Sequence, residues 1–210
     1  MMYPPAPWTI QGNGFLNLHL LDISRVRSLI PPAFQIVPVL PGKTVGGVYV
    51  AYYDRAKSTM EYNELIIVSG LVSHAGKIGS WISHIYVDNP RSVAGGREIW
   101  GLPKELAQFE WTGDRLPCVQ VRQGDRVLCS LCCTWQSPGL PLPPLTASVF
   151  SQLSDQLLLF TAQGQFNLQL IGAKLQVPLE SPFAALELRQ AWLSFYSNPL
   201  KVVAKVPTVQ

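Results

Sequence analysis

Gly95-Gly96-Arg97-Glu98-Ile99-Trp100-Gly101-Leu102-Pro103-Lys104-Glu105-Leu106 is the stretch around which the 210-residue chain is organised. Two glycines open it, and Gly101 and Pro103 break any regular period just before Lys104, so a loop or bulge is expected to aim that lysine. Ile99, Trp100, Leu102 and Leu106 give it apolar company. An ammonium is costly to keep in such surroundings, and the neutral amine that desolvation favours can attack a carbonyl to form a Schiff base. From composition alone, the first reading of Lys104 is a surface lysine whose stem packs while its ammonium reaches water.

The run Gly-Arg-Glu-Ile-Trp-Gly-Leu-Pro-Lys over residues 96–104 resembles the active-lysine segment of the acetoacetate decarboxylase family, in which the lysine after the proline forms the imine. Acetoacetate decarboxylase is itself a standard example of a lysine activated by its surroundings. Ile85-Tyr86-Val87-Asp88-Asn89-Pro90 with Val93-Ala94 is similar to the family's strand and turn before the motif, and residues 15–31 to its first strand and helix. Tyr62-Asn63-Glu64 looks like its Tyr-x-Glu element, and Asn198-Pro199-Leu200 with Val202-Val203 like its C-terminal Pro-Val segment.

The resemblance implies a Schiff-base-forming, decarboxylase-like lyase that needs no cofactor or metal, acts on a keto acid or ketone and assembles as a homo-oligomer. Lys104 and Glu64 are its implied catalytic pair. Three departures stand against classical acetoacetate decarboxylation. Glu105 occupies the place of the family's second lysine, Gln11, Gly12, Asn13 and Gly14 stand where it has an arginine, and Gly47, Val48 and Tyr49 stand where it has a further pocket glutamate. The alternative is a non-catalytic or accessory protein that keeps the fold and binds a larger apolar ligand, carotenoid-related by analogy with a plant branch of the family.

A chain of this length fits one domain, residues 1–210. Only 14% of residues are charged and 48% are hydrophobic, which argues against disorder. The net charge of +3 comes from scattered Lys and Arg with no basic run, so nucleic acid is not an expected partner. No stretch approaches the ~20 apolar residues of a transmembrane helix, and the first residues lack a signal-peptide pattern, so a cytoplasmic protein is expected. Cys118, Cys129, Cys132 and Cys133 lack a second metal-binding pair or a nearby His, and they are expected to be buried free thiols.

Strands are expected at residues 15–20, 37–40, 45–54, 65–74 and 81–87, with a short helix over 23–30 after an Asp22 cap. Residues 108–111, 118–122 and 127–135 continue the strands, the last two joined by the Gln123-Gly124-Asp125 turn. Residues 137–144 carry four prolines and read as a loop, and 146–156 has an ambiguous period. A second hairpin is expected from 157–160 and 166–177, followed by strands at 186–195 and 201–206. So many strands with one or two short helices point to a mainly β (α+β) fold, an antiparallel barrel or folded-over sheet.

Around the key lysine, Arg97, Glu98, Trp100 and Glu105 are candidate pocket residues. Arg97 and Glu98 are expected to form a partly buried charge pair that fixes the loop. In extended backbone Glu105 should point away from Lys104. Glu64 can handle protons or orient substrate, or be an ordinary surface carboxylate. His19, His74 and His84 have no metal-ligand spacing and are assigned to core or surface.

Overall fold

The computed structural model describes residues 2–210. β1 (Trp8–Asp22) runs into a single helical turn, α1 (Ile23–Val26), and a 3-10 turn (Arg27–Leu29). The two-residue β2 (Gln35–Ile36), β3 (Lys43–Tyr53), β4 (Tyr62–His74) and β5 (Lys77–Val87) follow, then the helix α2 (Pro90–Trp100). Next come β6 (Lys104–Leu106), β7 (Gln108–Thr112), β8 (Cys118–Gln123), β9 (Arg126–Gln136) and β10 (Leu140–Pro141). The order ends with β11 (Leu145–Leu153), β12 (Gln156–Gln176), β13 (Leu193–Ala204) and β14 (Thr208–Val209).

β11, β5, β4, β3, β1, β13 and β12 are neighbours in that order, and β12 pairs back onto β11, so these strands close into a ring. Closure leaves no edge among them to pair with another chain. β12 is 21 residues long and serves two sheets. Its first part pairs with β11 and β13, and residues 171–176 pair with β9, which carries β8 and β7 beside it.

The period-2 alternation of the strands supplies two apolar faces. Tyr49, Ala51 and Tyr53 of β3 point into the ring, while Val48 and Val50 point outward to a second core. That second core includes α1, the β7–β9 sheet and residues 183–188. Phe15 is fully buried there, its ring stacked 5.9 Å from Trp111 and tilted 5.0 Å from Tyr196, and a side chain of this size contributes about 1.5–3 kcal/mol by leaving water.

Several local expectations are corrected. Residues 90–100 are helical rather than a loop, because Asn89 caps the first turn through Arg91 N–H and Pro90 fits the first helical position. Residues 37–40 are not a strand, and their expected pairing is reduced to an isolated bridge at Leu40. The supposed turn at 162–165 lies within the continuous β12, and the real hairpin turn is between β11 and β12. The strands expected at 186–195 and 201–206 are replaced by a 3-10 turn (Ala184–Leu186) and one long β13. Asp22 stands at the cap position without a capping hydrogen bond, because its carboxylate pairs with Lys43 at 2.7 Å.

On the outward face of β1, Asn17 and His19 are buried at 0% and 3% exposure, while Leu18 and Leu20 are only half-buried. One further correction concerns the cysteines. Cys118 and Cys132, directly opposite on β8 and β9, are joined as a disulfide, and only Cys129 and Cys133 are free buried thiols. Among the described residues no helix is long and apolar enough to cross a membrane.

Candidate functional site

Lys104 begins β6, which lies parallel to β5 with Lys104 beside Ile85. The same strand pairing places Glu105 beside Tyr86, so successive side chains leave on opposite faces. Gly101 adopts the left-handed conformation (φ 61°) that ends α2 and turns the chain back toward the sheet. Arg97 then donates from Nε to the carbonyl of Lys104 at 2.7 Å, fixing the start of β6 against the helix.

The lysine side chain crosses α2 where the helix has no side chain. A Cβ on Gly96 would lie 2.5 Å from Lys104 Cδ, and one on Gly95 would lie 2.6 Å from the Trp8 ring. Four residues before Gly96, one helical turn away, Ser92 presents its hydroxyl to the same side chain. Lys104 is 3% exposed and Glu64 4%. Lys104 Nζ donates to Glu64 Oε1 at 2.7 Å and to Ser92 Oγ at 3.0 Å, and it lies 5.1 Å from the Tyr62 ring centre and 5.7 Å from that of Trp8. Both rings are within the distance at which a cation is attracted to an aromatic face.

Glu64 reaches this point because Glu64 of β4 lies between Ala51 of β3 and Val87 of β5 and faces into the ring. Its second oxygen accepts from Tyr53 at 3.0 Å, and the Tyr53 and Tyr49 hydroxyls are 3.1 Å apart. The result is a hydrogen-bonded row running from the amine through one carboxylate to two phenols. Burial, reinforced by the Glu64 carboxylate, pushes the Tyr49, Tyr53 and Tyr62 phenols above their ordinary value, so they are neutral donors.

The row opens into a cavity of about 530 Å3 inside the ring. Trp8, Trp100, Leu102, Ile82, Phe160 and Phe166 are among its walls, and Lys104 and Glu64 are the only charged lining side chains among the described residues. Register shifts between β4 and β5 around Ile67 and Val68 let both Ile82 and Ile85 face it, where strict alternation would not. Exposed Leu145, Thr146 and Ala147 mark the rim.

The candidate pocket residues part company here. Trp100 is 2% exposed, lines the cavity and packs edge-on to Trp8 at 4.7 Å. Arg97, Glu98 and Glu105 are exposed and do not line it. The expected Arg97–Glu98 pair is not formed, because consecutive residues of a helix diverge: Arg97 holds the Lys104 carbonyl, and Glu98 accepts from Tyr3. Glu105 accepts from Gln123 at 2.8 Å on the outer side.

Ser92, Tyr49, Tyr53, Tyr62 and Trp8 were not singled out as site residues from sequence. Tyr62 stands in the Tyr-x-Glu resemblance, and for the others the spacing of Ser92 to Gly96 and of Tyr49 to Tyr53 is the only signal. Burial depresses His84, whose Nδ1 lies 2.9 Å from Ser83 Oγ, and holds His19 down to about 4. Among the described residues no group of three or more His, Cys, Asp or Glu side chains is arranged to hold a metal ion.

A family model described as acetoacetate decarboxylase matches residues 1–150. Protein NEOXANTHIN-DEFICIENT 1 of Solanum lycopersicum is 30% identical over 115 residues, covering 55% of this chain and 38% of that protein. Acetoacetate decarboxylase of Ralstonia nicotianae is 31% identical over 109 residues, covering 50% of this chain and 40% of that one. The chain thus spans about two-fifths of the length of these curated relatives. The crystal structure of acetoacetate decarboxylase from Legionella pneumophila aligns with a TM-score of 0.78 at 17% identity, covering 100% of this chain and 89% of that one. The enduracididine biosynthesis enzyme MppR complexed with pyruvate aligns at 0.74 and 14%, covering 99% and 91%. At such identities the structural likeness speaks for the fold alone, a mainly β architecture of the acetoacetate decarboxylase type.

Proposed function

The chain belongs to the acetoacetate decarboxylase family, and from that premise we propose that it is an imine-forming enzyme in which Lys104 condenses with the carbonyl of a ketone or keto acid. The observation that carries this reading is the Lys104 amine itself, 3% exposed at the wall of an apolar cavity with a carboxylate 2.7 Å away. Imine formation needs the free amine, and Glu64 is the group placed to take its proton. The amine nitrogen bonds to the carbonyl carbon, giving a carbinolamine. Glu64 returns the proton to the departing hydroxyl, which leaves as water, and the product is an iminium paired with the Glu64 carboxylate.

The iminium accepts an electron pair from a neighbouring bond. That bond is C–C when carbon dioxide leaves, or Cα–H when Glu64 removes a proton to give the enamine for aldol or dehydration steps. Tyr53 and Tyr49 hold Glu64 in place, Ser92 orients the amine, and Arg97 fixes the backbone beneath it. Borohydride trapping with candidate carbonyl compounds, read by intact mass and peptide mapping, tests the reading: a reduced adduct on Lys104 is expected, and its absence with every carbonyl offered defeats the proposal.

A second reading, a binding or accessory role for a larger apolar ligand, is favoured by one observation. The cavity walls are almost wholly apolar, and the lone cation in them is already paired. Co-purified lipid or pigment without any trapped adduct is the outcome that selects it.

A further inference from the structure

The charge balance of the cavity restricts what can enter it. The lining carries one cation and one anion, Lys104 and Glu64, in contact at 2.7 Å, and the remaining described walls hold no Arg, Lys or His. Before condensation the site sums to zero. After a neutral carbonyl compound condenses, an iminium faces the same carboxylate and the sum is still zero. A keto acid adds a second carboxylate with nothing to pair it, and an unpaired charge taken out of water is strongly disfavoured. Neighbouring like charge compounds this, because Glu64 already occupies the amine's hydrogen-bonding side.

The size and shape of the space point the same way. About 530 Å3 falls within the ~300–1,000 Å3 typical of pockets for ligands far larger than a three-carbon acid. Along β5, Ile85 adjoins Lys104 and Ser80 adjoins Val149 near the rim, so five residues separate the amine level from the approach to the exterior, roughly 16 Å of strand at ~3.3 Å per residue. Between them the walls are Ile82, Leu102, Val149 and Phe160, none of which donates or accepts a hydrogen bond from its side chain.

Resting on the imine reading above, we propose that the substrate is an uncharged aldehyde or ketone with a long apolar body, its carbonyl at Lys104 and its chain laid along Ile82, Leu102, Val149 and Phe160 toward Leu145. The step balances as before: amine and carbonyl give iminium and water, and an α-proton passes to Glu64 as the enamine forms.

The test uses the whole chain and three probes, a series of straight-chain aldehydes from propanal to decanal, 2-undecanone, and the anions pyruvate and acetoacetate. Each is offered with cyanoborohydride, and the adduct is located by peptide mapping, so that surface lysines are scored apart from Lys104. The expected result is half-maximal modification of Lys104 at concentrations that fall by about threefold to fourfold per added methylene until the cavity is full, with the keto acids needing more than tenfold higher concentration than decanal. A flat chain-length dependence, or keto acids modifying Lys104 as readily as decanal, overturns the proposal while leaving the imine reading intact. Quenching of tryptophan fluorescence by unreactive decanol, with Trp8 and Trp100 in the walls, separates the two ideas when no adduct forms. Saturable quenching by decanol, with none by acetate, then keeps the apolar occupant and removes the imine, whereas no quenching removes the apolar occupant as well.

Discussion

Replacing Lys104 by methionine, which keeps the length of the stem and deletes the charge, exposes the energetics of the site. Glu64 is 4% exposed, and its two nearest donors are Lys104 at 2.7 Å and Tyr53 at 3.0 Å. With the ammonium gone, one phenol is left to face a buried carboxylate, and breaking a buried pair from one side costs about 3–5 kcal/mol. At about 2–4 °C per kcal/mol for a chain of this size, Lys104→Met lowers Tm by roughly 6–20 °C. Glu64→Gln is milder, about 1–2 kcal/mol, because the amine keeps Ser92 as a partner and the amide oxygen can still accept from it. The double variant leaves no charge behind and recovers at least ~2 kcal/mol relative to Lys104→Met. The assay is urea and thermal unfolding of the four proteins. A loss below ~1 kcal/mol in Lys104→Met, with no recovery in the double variant, would falsify the claim that the pair is desolvated.

Other expectations follow from the same geometry. His19 is held down to about 4 from 6.5 by burial, so it folds neutral. Its contribution is intact above pH ~6.5 and is lost as pH falls to ~4, about 3 kcal/mol in all, and His19→Leu should flatten that part of a stability-against-pH curve. Gly96→Ala puts a methyl 2.5 Å from Lys104 Cδ. Helix propensity gains ~1 kcal/mol and offsets the strain, so Tm should change little while the trapping rate falls about 10–100-fold. An unchanged trapping rate would mean that the lysine does not need that groove. Arg97→Ala frees the Lys104 carbonyl from its 2.7 Å donor and should slow trapping while costing about 1–2 kcal/mol in urea, and restoration of the rate by Arg97→Lys would argue against a need for guanidinium geometry.

The strands were legible wherever apolar residues alternate, as in 45–54 and 118–135, because one face of each is buried and the period of two survives in the sequence. Helix α2 was missed although Asn89-Pro90 and Gly101 are ordinary start and stop signals, because Gly95 and Gly96 argue locally for a loop. They are glycines for a reason in three dimensions: the Trp8 ring and the Lys104 stem pass over them. Gly164 misled in the same way, since the Phe166 ring lies against it within a continuous strand. On β1 the leucines alternate with Phe15, Asn17 and His19, and alternation alone does not decide that the polar residues are the ones buried, beside Phe15 on the outward face. Lys104 and Glu64 are 40 positions apart and were paired only through the family resemblance. Ser92, Tyr49 and Tyr53 carry no motif, and their roles arise from strand register and one helical turn.

The long β12 belongs to the ring and to the side sheet at once, and this has a dynamical consequence. Neither layer can breathe independently, because peeling β9 away tugs on the same backbone that walls the cavity. Deuterium uptake along β12 should therefore rise in a single slow event, from its β11-facing start to its β9-facing end, rather than in two separate stages.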